Sequence, residues 1–292
     1  MSVDDSTRRE INTIVERILR DSSLEPPIDI KEILAFLKLH RDFYSLDDPG
    51  LLKRFAHRIQ IGTNKAINVI RDKVKLAALW LPEETRILVD ESQPKPKQLW
   101  ASFHDTVHTV LPWHRDFYLG DTAQTLEPEY QDSLEEEANY GASALMFGGE
   151  RFSTAALDTV PCWGSICELQ KLHKKSFTTT FRRYIEHSHT VPLAGLISIP
   201  WWKRSPDPNQ PRLKHFIVSR QFLLRFPNIS APTLLTMVRG NTRPAKFGPA
   251  GEFTFSLTNI RGESVEFIGE AFTNQHELMT LFVPSASRRG RQ

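Results

Sequence analysis

Apolar residues recur at helical spacing through most of the chain up to about residue 190 and give way to short β-type runs after it, and this switch of period constrains the fold more than any other feature. Ile11, Ile14, Val15, Ile18 and Leu19 predict a helix over residues 6–20. Pro26-Pro27 interrupts the chain, and Ile30, Ile33, Leu34 and Leu37 then line one face of a second helix. A further helix is expected over 51–60. KLAALWL (75–81) and RILVD (86–90) flank Pro82-Glu83-Glu84 and predict a strand, a turn and a strand. Leu99, Trp100, Phe103, Val107, Val110 and Leu111 form one apolar stripe that Pro112 ends, so 97–111 reads as an amphipathic helix. Ser133 with Glu136 three residues later is a capping-box pattern for a helix over 133–146, which Gly148-Gly149 stops. Residues 163–187 return to helical spacing. SPDPNQP (205–211) is loop-like, and HFIVS (215–219), FTFSLT (253–258) and SVEFIGEAF (264–272) read as strands. The expectation is an α+β chain in which a helical domain packed on a small sheet precedes a smaller β-rich C-terminal domain. The divisions expected are an N-terminal helix at 1–24, a main domain at 25–200 and a final domain at 201–292, with the last boundary falling within 195–210. The terminal RRGRQ is expected to be disordered.

Charge narrows the function. Across 292 residues Lys+Arg number 37 and Asp+Glu 35, a net charge of +2 that gives no electrostatic footprint for nucleic acid. Arg182-Arg183 is an isolated pair that no basic stripe extends, so direct nucleic-acid binding is not expected. Cys162 and Cys167 are too few for a disulfide framework and too far apart for a zinc finger, which points to a reducing compartment. The polar start MSVDDSTRRE and the lack of any run near ~18 apolar residues predict a cytoplasmic chain with no membrane partner.

His104-Asp105-Thr106-Val107-His108 lies inside the 97–111 helix. Four-residue spacing puts both imidazoles on one face, one turn apart, where two nitrogens can meet one metal ion. Asp105 follows the first histidine, where H-E-x-x-H carries the carboxylate that takes a proton from metal-bound water. With 10 histidines in the chain, such a pair arises by chance in about a third of cases, and the adjacent acid lowers that to about 4%. The pattern alone therefore leaves two helix-surface histidines as an open alternative. A catalytic metal also needs a third protein ligand. Glu135, Glu136 and Glu137, at the start of the next helix, are equal candidates by residue type. His114 could hold a developing oxyanion but reads more simply as a loop histidine.

In context the chain resembles the ImmA/IrrE family of metallopeptidases over about residues 25–195. IDIKEILAFL (28–37) is similar to the family's early helix, LWLPEETRILVD (79–90) to its hairpin, KQLWASFHDTVHTVL (97–111) to its H-E-x-x-H helix, and EEEANYGASALM (135–146) to its E-x-x-A-N segment. The resemblance implies that His104 and His108 are ligands, that Glu135 is the third, and that Asp105 is the general base. It also implies one zinc ion, a metal that suits His/His/Glu ligation. Three positions depart from the family pattern. Asp105 stands in place of glutamate and is shorter by one methylene. Gly141 stands in place of phenylalanine, giving room for a neighbour such as Trp113 or Phe147, and Gly148 stands in place of proline.

An extended peptide could add to the strand at Arg86, Ile87, Leu88, Val89 and Asp90, with one edge of that strand open, and so lie over the metal. The function expected is zinc-dependent endopeptidase cleavage of a protein partner. The resemblance implies a helix-turn-helix transcriptional repressor as one such partner. The alternative is a metal-binding protein with weak or no catalysis that acts as a regulator or scaffold, which the shorter arm of Asp105 favours. The last ~90 residues are expected to sense a ligand or bind a partner, as in some members of the family.

Overall fold

The computed structural model describes residues 3–44, 78–81, 86–114, 128–187, 190–204 and 212–289. The expected helix at 51–60, the turn at 82–84, the loop at 205–211 and the last three residues of the tail lie outside them. The chain is a mixed α+β protein in two compact units, residues 1–150 and 151–292. The sequence reading puts its boundary near 195–210 instead.

In the first unit, helix α1 (Asp5–Asp21) begins where the Asp4 carboxylate accepts from the backbone N–H groups of Ser6 and Thr7 at 2.8 and 3.1 Å. Its buried face is Ile11, Val15, Ile18 and Leu19. Helix α2 (Ile30–Phe36) is capped in the same way by Asp29. Strands β1 (His40–Tyr44), β2 (Ala78–Leu81) and β3 (Arg86–Asp90) form a small sheet in the order β1-β3-β2. The hairpin of β2 and β3 is antiparallel, as expected. On its other edge β3 pairs in parallel with β1, from His40 opposite Arg86 to Tyr44 opposite Asp90. Both edges of β3 are therefore occupied, so the expected peptide track along Arg86–Asp90 is not available. Backbone groups committed to two neighbours cannot also hydrogen-bond an incoming strand. Ile87 and Val89 are fully buried and Leu88 nearly so. An apolar run of this kind marks a middle strand covered on both faces. Arg86 instead pairs with Asp42 of β1 at 3.1 Å. Asp90 accepts from Ser92 N–H and from Gln93 Nε2, holding the turn that leads into the next helix.

That helix, α3 (Lys95–Val110), packs against β2, β3, α2 and α4 (Pro128–Met146). Helix α4 starts five residues before the expected Ser133. Its first residue is a proline, tolerated there because the first N–H of a helix has no partner in any case. Ser133 is thus inside the helix, with its hydroxyl 3.5 Å from Glu137 Oε1, and the capping-box reading does not hold. Gly148 and Gly149 do end the helix, both at positive φ, with Gly149 N–H donating to Ala144 O at 2.8 Å. Gly141 serves a different neighbour from those expected. A Cβ there would lie 2.7 Å from Val107 Cγ1 on α3 and 3.2 Å from Ile11 Cγ2 on α1. Its missing side chain lets three helices meet at one point.

The second unit contains α5 (Glu150–Leu157, whose first residue closes the first unit), α6 (Trp163–His173), α7 (Phe177–His187), α8 (Arg220–Arg225) and α9 (Ala231–Asn241). Residues 163–187, expected to be helical, form two helices that part at Lys174, which adopts the left-handed conformation. Strands β4 (Ala194–Ser198), β5 (Leu213–Val218), β6 (Gly248–Thr258), β7 (Ser264–Thr273) and β8 (Leu278–Pro284) form an antiparallel sheet in the order β5-β4-β8-β7-β6. Its core includes Leu196, Phe222, Phe226, Leu234, Phe253, Phe267 and Phe282. The four-residue α10 (Ala286–Arg289) follows β8. Among the described residues no helix is long and apolar enough to cross a membrane.

Candidate metal centre

Helix α3 is buried on most of its circumference, so its polar side chains must find partners inside the protein. Ser102, Thr106 and Thr109 donate to the helix carbonyls of Gln98, Ser102 and Thr106 at 2.7–2.8 Å. The two histidines look outward from the same helix towards α4. Their ring centroids are 4.8 Å apart and the rings are nearly perpendicular. Glu135 on α4 meets both: its Oε2 lies 3.2 Å from His104 Nε2 and its Oε1 lies 3.5 Å from His108 Nε2.

These residues fit a metal ion. Ligand bonds of 2.0–2.1 Å in tetrahedral geometry separate ligand atoms by about 3.3–3.5 Å. One ligand atom from each of His104, His108 and Glu135 lies within 4.8 Å of the others, and no other such group occurs among the described residues. The Glu135 side chain is 43% exposed against 14% and 3% for the histidines, so the group is open to solvent on the glutamate side. Of the three glutamates left open by residue type, Glu135 is the one that joins the histidines. Glu137 turns to other partners.

Each imidazole presents Nε2 to Glu135 and is held from behind through Nδ1. His104 Nδ1 lies 3.3 Å from Asp105 Oδ1. His108 Nδ1 lies 2.8 Å from Nδ1 of His114, which is fully buried. His114 Nε2 lies 3.0 Å from Glu137 Oε2, and the same oxygen accepts from Trp113 Nε1–H at 2.6 Å. The residue read as a loop histidine is therefore an internal part of the centre. The signal was hard to see in sequence, because the relation of His108 to His114 crosses Pro112 and is not a helix-face spacing.

Electrostatics follow from this packing. Burial disfavours the charged form of His104, but its hydrogen bonds to the Asp105 and Glu135 carboxylates, with their charges, outweigh it and raise the pKa to about 9. Burial, with the neighbouring His104 and His114 adding to it, pushes His108 down to about 3. Glu135 is raised by burial but lowered further by its hydrogen bond to His104 and by the surrounding histidines, so it stays ionised. Burial raises Asp105 above the usual carboxylate range. Its second oxygen, Oδ2, is buried and has no hydrogen-bond partner among the described residues.

No family model matches the chain, and no curated protein matches it. Among solved structures it is similar to a Mycobacterium tuberculosis transcriptional regulator, with a TM-score of 0.53 and 11% sequence identity, over 96% of this chain and 90% of that one. At that identity the likeness concerns the fold.

Proposed function

We propose that this chain is a zinc-dependent endopeptidase of the ImmA/IrrE type that cleaves a protein partner, with a helix-turn-helix repressor as the partner class. The observation that carries the reading is the approach of both Nε2 atoms to the two oxygens of Glu135, at 3.2 and 3.5 Å. Zinc in that position would polarise a peptide carbonyl and bring the pKa of a bound water towards neutrality. His104 and His108 supply neutral nitrogen lone pairs and Glu135 a carboxylate oxygen. Asp105 is the acid–base group within the helix. Its Oδ1 is occupied by His104, and its unpartnered but buried Oδ2 would be the atom to accept a water proton and pass it to the departing amide nitrogen once that water reaches it.

A second reading, a metal-binding regulator without peptidase activity, is favoured by the same Oδ1 contact. That contact sits behind His104, on the side away from Nε2, where a carboxylate orients a ligand rather than meeting substrate. A structurally similar protein carrying the name transcriptional regulator agrees with it.

The test is metal analysis of the purified protein beside cleavage of the proteins encoded next to it, for wild type, Asp105→Asn and Asp105→Glu at equal zinc occupancy. The amide of Asp105→Asn can still accept from His104 but cannot act as a base. Cleavage by wild type that Asp105→Asn abolishes supports the peptidase. Bound zinc with no cleavage by any of the three favours the regulator. Protein that takes up no zinc refutes both.

A further inference from the structure

We infer that His114 is a positioning residue that engages Nδ1 of His108, so that Nε2 is the nitrogen His108 offers to metal. The inference rests on the metal-binding reading above and extends it to residues outside the ligand set. Trp113 Nε1–H can only donate, so the Glu137 carboxylate is an acceptor, and it lies 2.6 Å from that donor. The same Glu137 oxygen stands 3.0 Å from His114 Nε2, which must then carry hydrogen. His114 Nδ1 and His108 Nδ1 face each other at 2.8 Å, and one proton lies between them. The tautomer of His114 that donates through Nε2 leaves Nδ1 as a lone pair, so the proton between the rings is supplied by His108 Nδ1. His108 Nε2 is then unprotonated and directed at Glu135, 3.5 Å away. Each step uses the donor or acceptor that the previous one leaves, and the chain Trp113–Glu137–His114–His108 closes with every member accounted for.

Burial gives the chain its force. His114 is 0% exposed and the Glu137 side chain 13%, so water does not substitute readily for either. Partners that orient a ligating histidine in this way typically contribute 10–100-fold in metal affinity. The backbone provides the geometry: the chain leaves α3 at Leu111, just ahead of Pro112, and Trp113 and His114 then reach Glu137 on α4. Glu135 and Glu137, two residues apart on α4, thereby divide the work. One meets the metal face of the histidines and the other supports His108 from behind.

The experiment uses the full-length protein labelled with 15N at histidine and loaded with zinc. Two-bond correlation spectra report which ring nitrogen holds hydrogen and which is metal-bound. Expected are Nδ1–H with metal-bound Nε2 for His108, and Nε2–H with bare Nδ1 for His114. Zinc affinity is measured in parallel for wild type, His114→Asn and His114→Phe. The asparagine carbonyl occupies the place of Nδ1 and can still accept from His108, so His114→Asn stays within about threefold of wild type, whereas His114→Phe loses 10–100-fold. Zinc bound to wild type with His108 ligating through Nδ1, or with His114→Phe and His114→Asn equal in affinity, overturns the inference and leaves the metal site standing. Wild type that binds no zinc removes both. If His114→Phe does not fold, the wild-type spectrum and the asparagine variant still decide.

Discussion

Gly141→Ala tests whether the close approach of α4 to α3 sets the metal centre. The new Cβ would stand 2.7 Å from Val107 Cγ1 and 3.2 Å from Ile11 Cγ2. Carbon atoms prefer separations of about 3.5–4.0 Å, so the helices must part by most of an ångström or Val107 must leave its rotamer. Overpacking of this kind costs about 1–3 kcal/mol. Alanine returns about 1 kcal/mol of helix propensity relative to glycine, so the net loss is about 0–2 kcal/mol. Glu135 lies six residues earlier on α4, about 9 Å along the helix, and moves with it. Zinc affinity falls in the variant for that reason. Val107→Ala removes the clashing methyl; alone it removes two buried methyl groups, about 1.5–3 kcal/mol with the cavity included. In the double variant the added methyl fills part of the vacated space, so the two changes together cost less than their sum by at least about 1 kcal/mol. The assay is urea denaturation of the metal-free protein followed by circular dichroism, with zinc titration of each variant. A Gly141→Ala protein as stable as wild type or more so, additive with Val107→Ala and unchanged in zinc affinity, would refute the argument.

Asp105→Ala removes the carboxylate behind His104 and should weaken zinc binding by about tenfold, while Asp105→Asn keeps it near wild type and His104→Ala loses it almost entirely; competition with a chromogenic chelator measures all three. Stripping zinc from loaded protein should lower the melting temperature, since free metal at 100 times its Kd adds about 2.7 kcal/mol, and an unchanged melting curve would contradict specific binding. In the second unit His173 is 1% exposed, and burial with the charges of Lys175 and Arg183 lowers its pKa to about 4. Because the unfolded chain binds this proton more tightly, stability is fully present above about pH 6.5 and falls as the pH drops towards 4, by on the order of 2–3 kcal/mol; His173→Gln should flatten that part of the pH profile. Gly269→Ala should destabilise by about 1–3 kcal/mol, since a Cβ there would meet three Phe253 ring atoms at 2.6–2.9 Å; a neutral change in the denaturation midpoint would show that the ring is free to move aside.

The helices carrying the metal group were legible because each has an apolar face and a marked C-terminal end, at Pro112 and at Gly148-Gly149. The His104–His108 spacing and the E-x-x-A-N segment then led to three residues that the fold brings together. Strand β3 was legible as a strand, but its neighbours were not. Its parallel partner His40–Tyr44 is short and polar, so neither composition nor alternation announces it, and the open-edge expectation failed for that reason. Strands β4 and β8 are buried along their whole length, which removes the alternation that separates a strand from a stretch of buried helix. The capping box failed because Ser133 and Glu136 satisfy the pattern wherever they fall, and only the three-dimensional start of α4 shows them to be interior. His114 and Glu137 were visible as residues but not as partners, since tertiary contact alone pairs them.

The place of α1 in the first unit has a consequence in time. Asn12 accepts from the Tyr140 hydroxyl at 3.0 Å, and Glu16 accepts from the backbone N–H of Glu150 at 2.7 Å, across sequence separations of 128 and 134 residues. Helix α1 is therefore made well before the segment that covers it. At translation rates of about 5–20 residues per second, the apolar face of Ile11, Val15, Ile18 and Leu19 stays uncovered for roughly 6–27 s after it leaves the ribosome. During that interval it is a ready target for chaperones that bind amphipathic helices, and the ligand-bearing helices α3 and α4 can reach their final packing only when synthesis has passed residue 150.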